Sequence, residues 1–126
     1  MRTSESPPEL DMVFTNSING ADGIVLDSKD NIWVAANQAD EIVVVDPTGK
    51  AIAKLGDFNG VQNGLTQGLL FPASPAFSPD GQSLYVTNLE LDLRTIGITQ
   101  SVDSQWAAEV KQHSIAKLSA SIPPIQ

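Results

Sequence analysis

Few side chains in this sequence are of a type that does chemistry, and they are scattered. His113 is the single histidine and follows Lys111-Gln112. A Ser-His-Asp relay or a histidine-ligated metal would have to use it, but its setting reads as a surface position in a strand. There is no cysteine, which removes disulfides and thiolate metal sites. Residues 58–68, FNGVQNGLTQG, are rich in glycine but lack the Gly-Lys-Ser/Thr ending and following helix of a phosphate loop. What remains is Asp22, directly before Gly23, and three asparagines, Asn19, Asn37 and Asn88, beside turn-rich segments. Asp-Gly and Asn are ordinary turn formers, and that is the simplest role for each of them.

The chain of 126 residues carries 15 acidic and 7 basic side chains, a net charge of −8. Such a balance opposes a nucleic-acid surface, which needs clustered Lys and Arg, and an anionic membrane surface. It favours cationic partners or a bound cation. The opening MRTSESPPELDMVF holds no apolar run of signal-peptide length. No stretch approaches the roughly 18 apolar residues of a membrane helix. The expectation is a cytoplasmic chain with neither nucleic-acid nor membrane partners.

The elements that must position these residues read as short strands. Residues 1–11, polar with a Pro-Pro pair, form a lead-in; 12–119 hold the strands; 120–126 are a tail. Met12–Thr15 is a short apolar burst. Gly23–Leu26 and Ile32–Ala36 flank the polar cluster Asp27–Asn31, a β-hairpin pattern. Ile42–Val45 is a β-branched run ending at Asp46-Pro47-Thr48-Gly49, with Ala51–Leu55 returning. Asp57–Gly68 is expected to be a loop. Ala76–Phe77, Ser78-Pro79-Asp80-Gly81 and Leu84–Thr87 repeat the strand–turn–strand pattern. A helical turn is expected near Ser104–Glu109 and a last strand over Val110–Ser119. No segment sustains a 3.6-residue period, so the chain is expected to be all-β.

Two segments echo each other: GIVLDSKDNIWVAAN at 23–37 and SPAFSPDGQSLYVTN at 74–88. Leu26 matches Phe77, Asp27 matches Ser78, and, with one residue inserted in the turn, Ile32-Trp33-Val34 match Leu84-Tyr85-Val86. Trp33 and Tyr85 are 52 residues apart (85 − 33), close to the ~40–50-residue repeat of a four-stranded propeller blade. Two unrelated hairpins in a sandwich would look much the same. In a propeller, Asn37 and Asn88 end equivalent strands and could line a substrate rim, while Trp33 and Tyr85 would pack between blades.

The segment NGADGIVLDSKDNIWVAANQADEIVVVDPTGK resembles the senescence-marker-protein/gluconolactonase/regucalcin family of six-bladed propellers. The matching features are Ala21-Asp22-Gly23 before a strand, the acidic turn Asp27–Asn31, and the strand Ile32-Trp33-Val34-Ala35. FPASPAFSPDGQSLYVTNL resembles a following blade. The resemblance spans residues 12–119 and implies a partial β-propeller, about two four-stranded blades from the C-terminal portion of the fold. It also implies metal-dependent hydrolysis of lactone-type esters, with Asp22 as one of three protein ligands to an axial divalent cation (calcium, or magnesium or zinc) and as the catalytic base. Ala21 departs from the family's usual Pro. The other two ligands, a Glu and an Asn from earlier blades, have no counterpart before residue 12. One carboxylate supplies one or two oxygens, whereas Ca²⁺ takes about six to eight. Two blades alone would leave apolar faces in water, so the sequence leads to a homo-oligomer or a partner chain supplying the missing blades. Three copies would close a six-bladed ring and bring three Asp22 carboxylates toward one axis. A non-catalytic binding or self-assembly module is the competing expectation.

Overall fold

The computed structural model describes residues 18–98 and 103–122. The whole lead-in, the expected strand at Met12–Thr15 and residues 123–126 of the tail lie outside them. Within them the chain is all-β, with three antiparallel sheets and two short helical turns. The first sheet is a four-stranded meander of β1 (Ala21–Leu26), β2 (Ile32–Ala36), β3 (Glu41–Val45) and β4 (Ala51–Leu55). The second is the hairpin β5 (Phe58–Gln62) and β6 (Leu65–Gly68). The third orders β7 (Pro72–Phe77), β8 (Ser83–Asn88) and β9 (Ile115–Ser119). Between β8 and β9 lie a 3-10 turn at Leu93–Ile96 and α1 (Ser104–Ala107). No helix among the described residues is long and apolar enough to cross a membrane.

The sequence echo is structural. In the β1–β2 hairpin, Leu26 faces Ile32, Val25 faces Trp33 and Ile24 faces Val34. In β7–β8, Phe77 faces Leu84, Ala76 faces Tyr85 and Pro75 faces Val86. The pairing breaks at the same place in both, between Ala21 and Ile24 and between Pro72 and Pro75. The turns correspond as well. The Asp27 N–H donates to the Asn31 carbonyl, and the Ser78 N–H to the Ser83 carbonyl, one residue further on. Asn31 N–H donates to Asp27 Oδ1 and Ser83 N–H to Ser78 Oγ, each at 3.0 Å. A carboxylate and a hydroxyl thus perform one local task, accepting a nearby backbone N–H to fix the turn.

Cross-strand register places Val25, Trp33, Val44 and Ala53 on one face of the first sheet, with Ala35 and Ile42. That face packs against Phe77, Leu84, Val86 and Leu118 of the third sheet, with Leu69 between them. Trp33 is buried edge-on to Phe77, ring centroids 5.2 Å apart, the offset geometry aromatic quadrupoles prefer. Its indole N–H donates to Asp27 Oδ2 at 2.9 Å, so the buried nitrogen is not left unpaired. Burial pushes the Asp27 carboxyl up. The hydrogen bonds from Trp33, Asn31 and the Lys29 and Asn31 backbones outweigh it and hold the group below its usual range.

Three expectations change here. Asp57–Gly68 is a hairpin, not a loop: Asn63 and Gly64 turn it, both at positive φ (52° and 81°), as an Asn-Gly type I′ turn requires. The last strand starts at Ile115 rather than Val110, because Lys111 and Gln112 donate their N–H groups to the Gly64 carbonyl instead of joining β8. His113 therefore precedes the strand. The helical turn expected near Ser104 is present as α1.

Gly23 sits in the irregular part of β1, where a Cβ would come within 2.7 Å of the Ala73 carbonyl oxygen and 3.0 Å of Pro75 Cδ. Its glycine serves the close approach of β1 to β7. Replacing it with valine forces the two sheets apart. Gly23→Val is expected to lose about 1–3 kcal/mol, read as a lower urea midpoint; an unchanged midpoint would mean that this approach is not tight.

Candidate functional site

Both hairpins present the same end of the molecule, where β1 and β7 begin and β2 and β8 finish, and the candidate residues gather there. Asp22 lies in the β1 irregularity with its side chain exposed. The corresponding position in β7 is Ala73, offset by 51 residues as Ala21 is from Pro72 (72 − 21). The second hairpin therefore brings no second carboxylate to this place. Among the described residues no three His, Asp or Glu side chains come together to hold a metal ion.

The two asparagines do not occupy equivalent positions. Asn88 is the last residue of β8 and pairs with Pro72, as Ala36 pairs with Ala21; Asn37 falls one residue beyond β2. Asn37 Nδ2 donates to the Pro72 carbonyl at 3.0 Å, and its Oδ1 accepts from Gln38 Nε2 at 2.8 Å. It ties the first sheet to the start of the third. Asn88 is buried; its Nδ2 donates to the Gly68 carbonyl at 3.0 Å and its Oδ1 accepts the Leu70 N–H at 3.1 Å. Both amides hold the chain's own backbone at the strand ends. Tyr85, expected between blades, is 40 % exposed, on the face of the third sheet that points away from the first. Asn19 is exposed, its carbonyl accepting the Gln38 N–H.

The same end carries acidic groups that the linear reading passed over. The Glu90 side chain is fully buried, just past β8. Its Oε2 accepts from the Thr66 hydroxyl, and its Oε1 accepts the Ser114 N–H at 2.9 Å. His113 Nδ1 lies 3.5 Å from Oε1, with most of its ring in solvent. One carboxylate thereby fastens the end of β8 to β6 and to the approach of β9. Asp40, in the β2–β3 turn, accepts the Phe71 N–H at 2.9 Å on Oδ1. The neighbouring acidic group is Asp103, a buried residue at the start of α1. Burial and the neighbouring carboxyl push Asp40 up to about 7, against the pull of the Phe71 N–H.

Three residues of this end, Asp40, Phe71 and Glu90, hold left-handed backbone conformations with φ of 54°, 51° and 52°. Each costs roughly 1–2 kcal/mol for a non-glycine residue. They are chained together: Phe71 donates to Asp40, and Leu89 N–H donates to the Phe71 carbonyl at 2.7 Å. The strain is concentrated where strands from all three sheets end, and the carboxylates offset it.

No protein-family model matches the chain, and no curated protein matches it in a sequence search.

The Thr66 hydroxyl is the donor that Glu90 Oε2 takes from β6. Thr66→Val keeps the shape and removes it, leaving a buried carboxylate short of one partner. The expected loss is about 1–3 kcal/mol, measured by chemical denaturation; a change within about 0.5 kcal/mol would show that Ser114 alone satisfies Glu90.

Proposed function

We propose that the chain is a two-blade segment of a six-bladed, gluconolactonase-like β-propeller that hydrolyses lactone-type esters once the missing blades complete its site. The observation that carries this is the duplicated hairpin: same register, same irregularity, same turn bonds, at an offset of 51 to 52 residues. Two stacked sheets with that repeat are what adjacent blades require. The small-molecule substrate would meet the end where Asp22 is exposed.

A resident divalent cation does not fit the described residues alone. Asp22 offers one or two of the roughly six to eight oxygens that calcium needs, or of about six for magnesium, and no second metal-ligating side chain joins it in a cluster of three. Asp22 is thus one contribution to a site shared between chains. The two ends of the sheet stack support assembly. The third sheet turns outward Ala76, Tyr85 and Ile115, and Tyr85 is the counterpart of Trp33, which the first sheet buries. On the far face of the first sheet only the β1 edge, Ile24 and Leu26, is exposed; Val34, Ala36, Val43 and Val45 are already buried there, with Ile18 against Ala36, Val43 and Val45. A head-to-tail partner, either further copies or a chain with the remaining blades, would cover the outward face of the third sheet and this edge.

A second reading is a non-catalytic binding or assembly module. It is favoured by the amides of Asn37 and Asn88, which are spent on backbone carbonyls and N–H groups rather than turned to a ligand.

Light scattering and lactone turnover separate the two. The assembled protein is expected to exceed the mass of one chain and to open a lactone in a calcium-dependent reaction that Asp22→Ala abolishes. Assembly without calcium binding by calorimetry would select the second reading, and a monomer in solution would overturn the ring.

A further inference from the structure

The third sheet is one strand short of its counterpart. The first sheet covers its third strand, β3, with β4; among the described residues β9, the third strand of the other sheet, pairs with β8 alone. The difference shows in burial. Ile42 and Val44 of β3 are fully buried, whereas Ala116 and Leu118, which β9 turns toward the same interface, are only half-buried. Such an edge offers a row of backbone N–H and C=O groups to any extended segment whose side chains match it.

What matches is set by the two faces of β9. Ala116 and Leu118 point into the interface, while Ile115, Lys117 and Ser119 point outward and are exposed. A fitting strand alternates apolar with more polar side chains and sets an acidic group opposite Lys117. The β9 of a second copy does not fit, because antiparallel pairing about its centre puts Lys117 against Lys117. The segment from Glu9 to Val13 does fit. With Asp11 opposite Lys117 in an antiparallel pair, Leu10 falls opposite Leu118, Met12 opposite Ala116 and Val13 opposite Ile115. Pro7 and Pro8, which have no N–H to give a ladder, bound the segment.

We propose that the free edge of β9 takes residues 9–13 of a second copy as the fourth strand of the third sheet. The inference rests on the reading of the chain as a repeat that assembles head to tail, and it names the contact that joins the copies. Two observations give the direction. Ile18 packs on Ala36, Val43 and Val45, on the face of the first sheet turned away from the third. The chain therefore approaches β1 from the side that a head-to-tail neighbour adjoins, with its own β9 behind the first sheet. The repeat points the same way. Before the chain goes on to β7 it lays down β4, the fourth strand of the sheet already begun. One step earlier, the segment before β1 belongs to the sheet that precedes the first, and in a head-to-tail assembly that sheet is a neighbour's third. Each copy thus supplies the strand that the next one lacks.

The chain has no cysteine, so introduced thiols report the pairing alone, and directly opposite residues stand within disulfide reach. Full-length Asp11→Cys is mixed with full-length Lys117→Cys, oxidised, and the mixed disulfide counted by mass spectrometry. Its yield is expected to exceed about tenfold that of a control mixture of Asp11→Cys with Asp30→Cys, because pairing raises the effective thiol concentration to the millimolar range. A yield no higher than the control's, or a disulfide that closes within one chain when both cysteines are in it, would overturn the exchange. Should a cysteine variant not fold, a charge swap makes the same test. Lys117→Glu is expected to weaken association up to about fivefold and Asp11→Lys in the same chain to restore it; no restoration would overturn the pairing. An assembly seen by light scattering without the mixed disulfide sinks the exchange and spares the assembly. The mixed disulfide without lactone turnover upholds the exchange and counts against the activity alone.

Discussion

The structure depends on one interface, where the first and third sheets meet face to face. Neither sheet has a stable existence as an isolated meander, because each has one strongly apolar face. Trp33, Ala35, Ile42 and Val44 on one side and Leu84 and Val86 on the other are all within 1 % of full burial. Each large side chain among them contributes on the order of 1.5–3 kcal/mol when removed from water. Such a contact needs close approach along its whole length. Gly23 permits it at one end, and the Asp27–Trp33 hydrogen bond permits it at the other by satisfying the one polar atom that the interface would strand. The two devices lie in the same hairpin. This gives the Asp-Gly and acidic-turn features structural reasons of their own, independent of any chemistry.

Burying the sheets fixes where the strand ends fall, and the opposite consequence appears there. Strands from three sheets finish close together, and their connections must turn sharply in little space. Asp40, Phe71 and Glu90 accept left-handed conformations to do so. The buried Glu90 carboxylate and the half-buried Asp40 carboxyl hold the turns, each accepting hydrogen bonds from a segment other than its own. Strain stored at one end of a rigid scaffold is a common accompaniment of function. Here Asp40, Phe71 and Glu90 carry it at the end where Asp22 is exposed; at the other end Asp30 alone is left-handed, and the turns Asp27–Asn31 and Ser78–Gly81 are fixed by short local bonds.

The duplicated hairpin was legible in the sequence because all its determinants are local. The alternation, the turn residues and the single inserted residue are contiguous, and register follows from them. The β5–β6 hairpin was legible too, through Asn63-Gly64 between short apolar positions, but the surrounding glycines pulled the reading toward a loop. Gly60 and Gly68, at φ of 89° and 99°, are features of the paired strands themselves. The acidic network was not legible. Glu90 meets partners 24 residues away on either side, and Asp40 neighbours Asp103 only through tertiary packing. No spacing rule connects such residues. The equivalence read between Asn37 and Asn88 does not hold on a smaller point: the inserted turn residue shifts the second hairpin by one, so Asn88 ends β8 while Asn37 falls one residue beyond β2.

That one-residue shift leaves the faces of the sheets unchanged, and this decides which face each sheet turns outward. In the first hairpin Trp33 points into the interface and Val34 away from it; in the second, Val86 points into the interface and Tyr85 away. The third sheet thus offers outward the face that the first uses inward. A pair of sheets related by a mirror-like closure would bury both strong faces and present two polar ones. This pair is related by a repeat, head to tail, and a repeat has no internal reason to stop. The outward face does carry Thr87 and Lys117 beside Tyr85 and Ile115, and Lys117 lies 6.0 Å from the Tyr85 ring centroid. The face is therefore milder than the one buried inside: polar side chains stand among the apolar ones, so it can remain in water as it is, whereas the face built on Trp33, Ile42 and Val44 cannot.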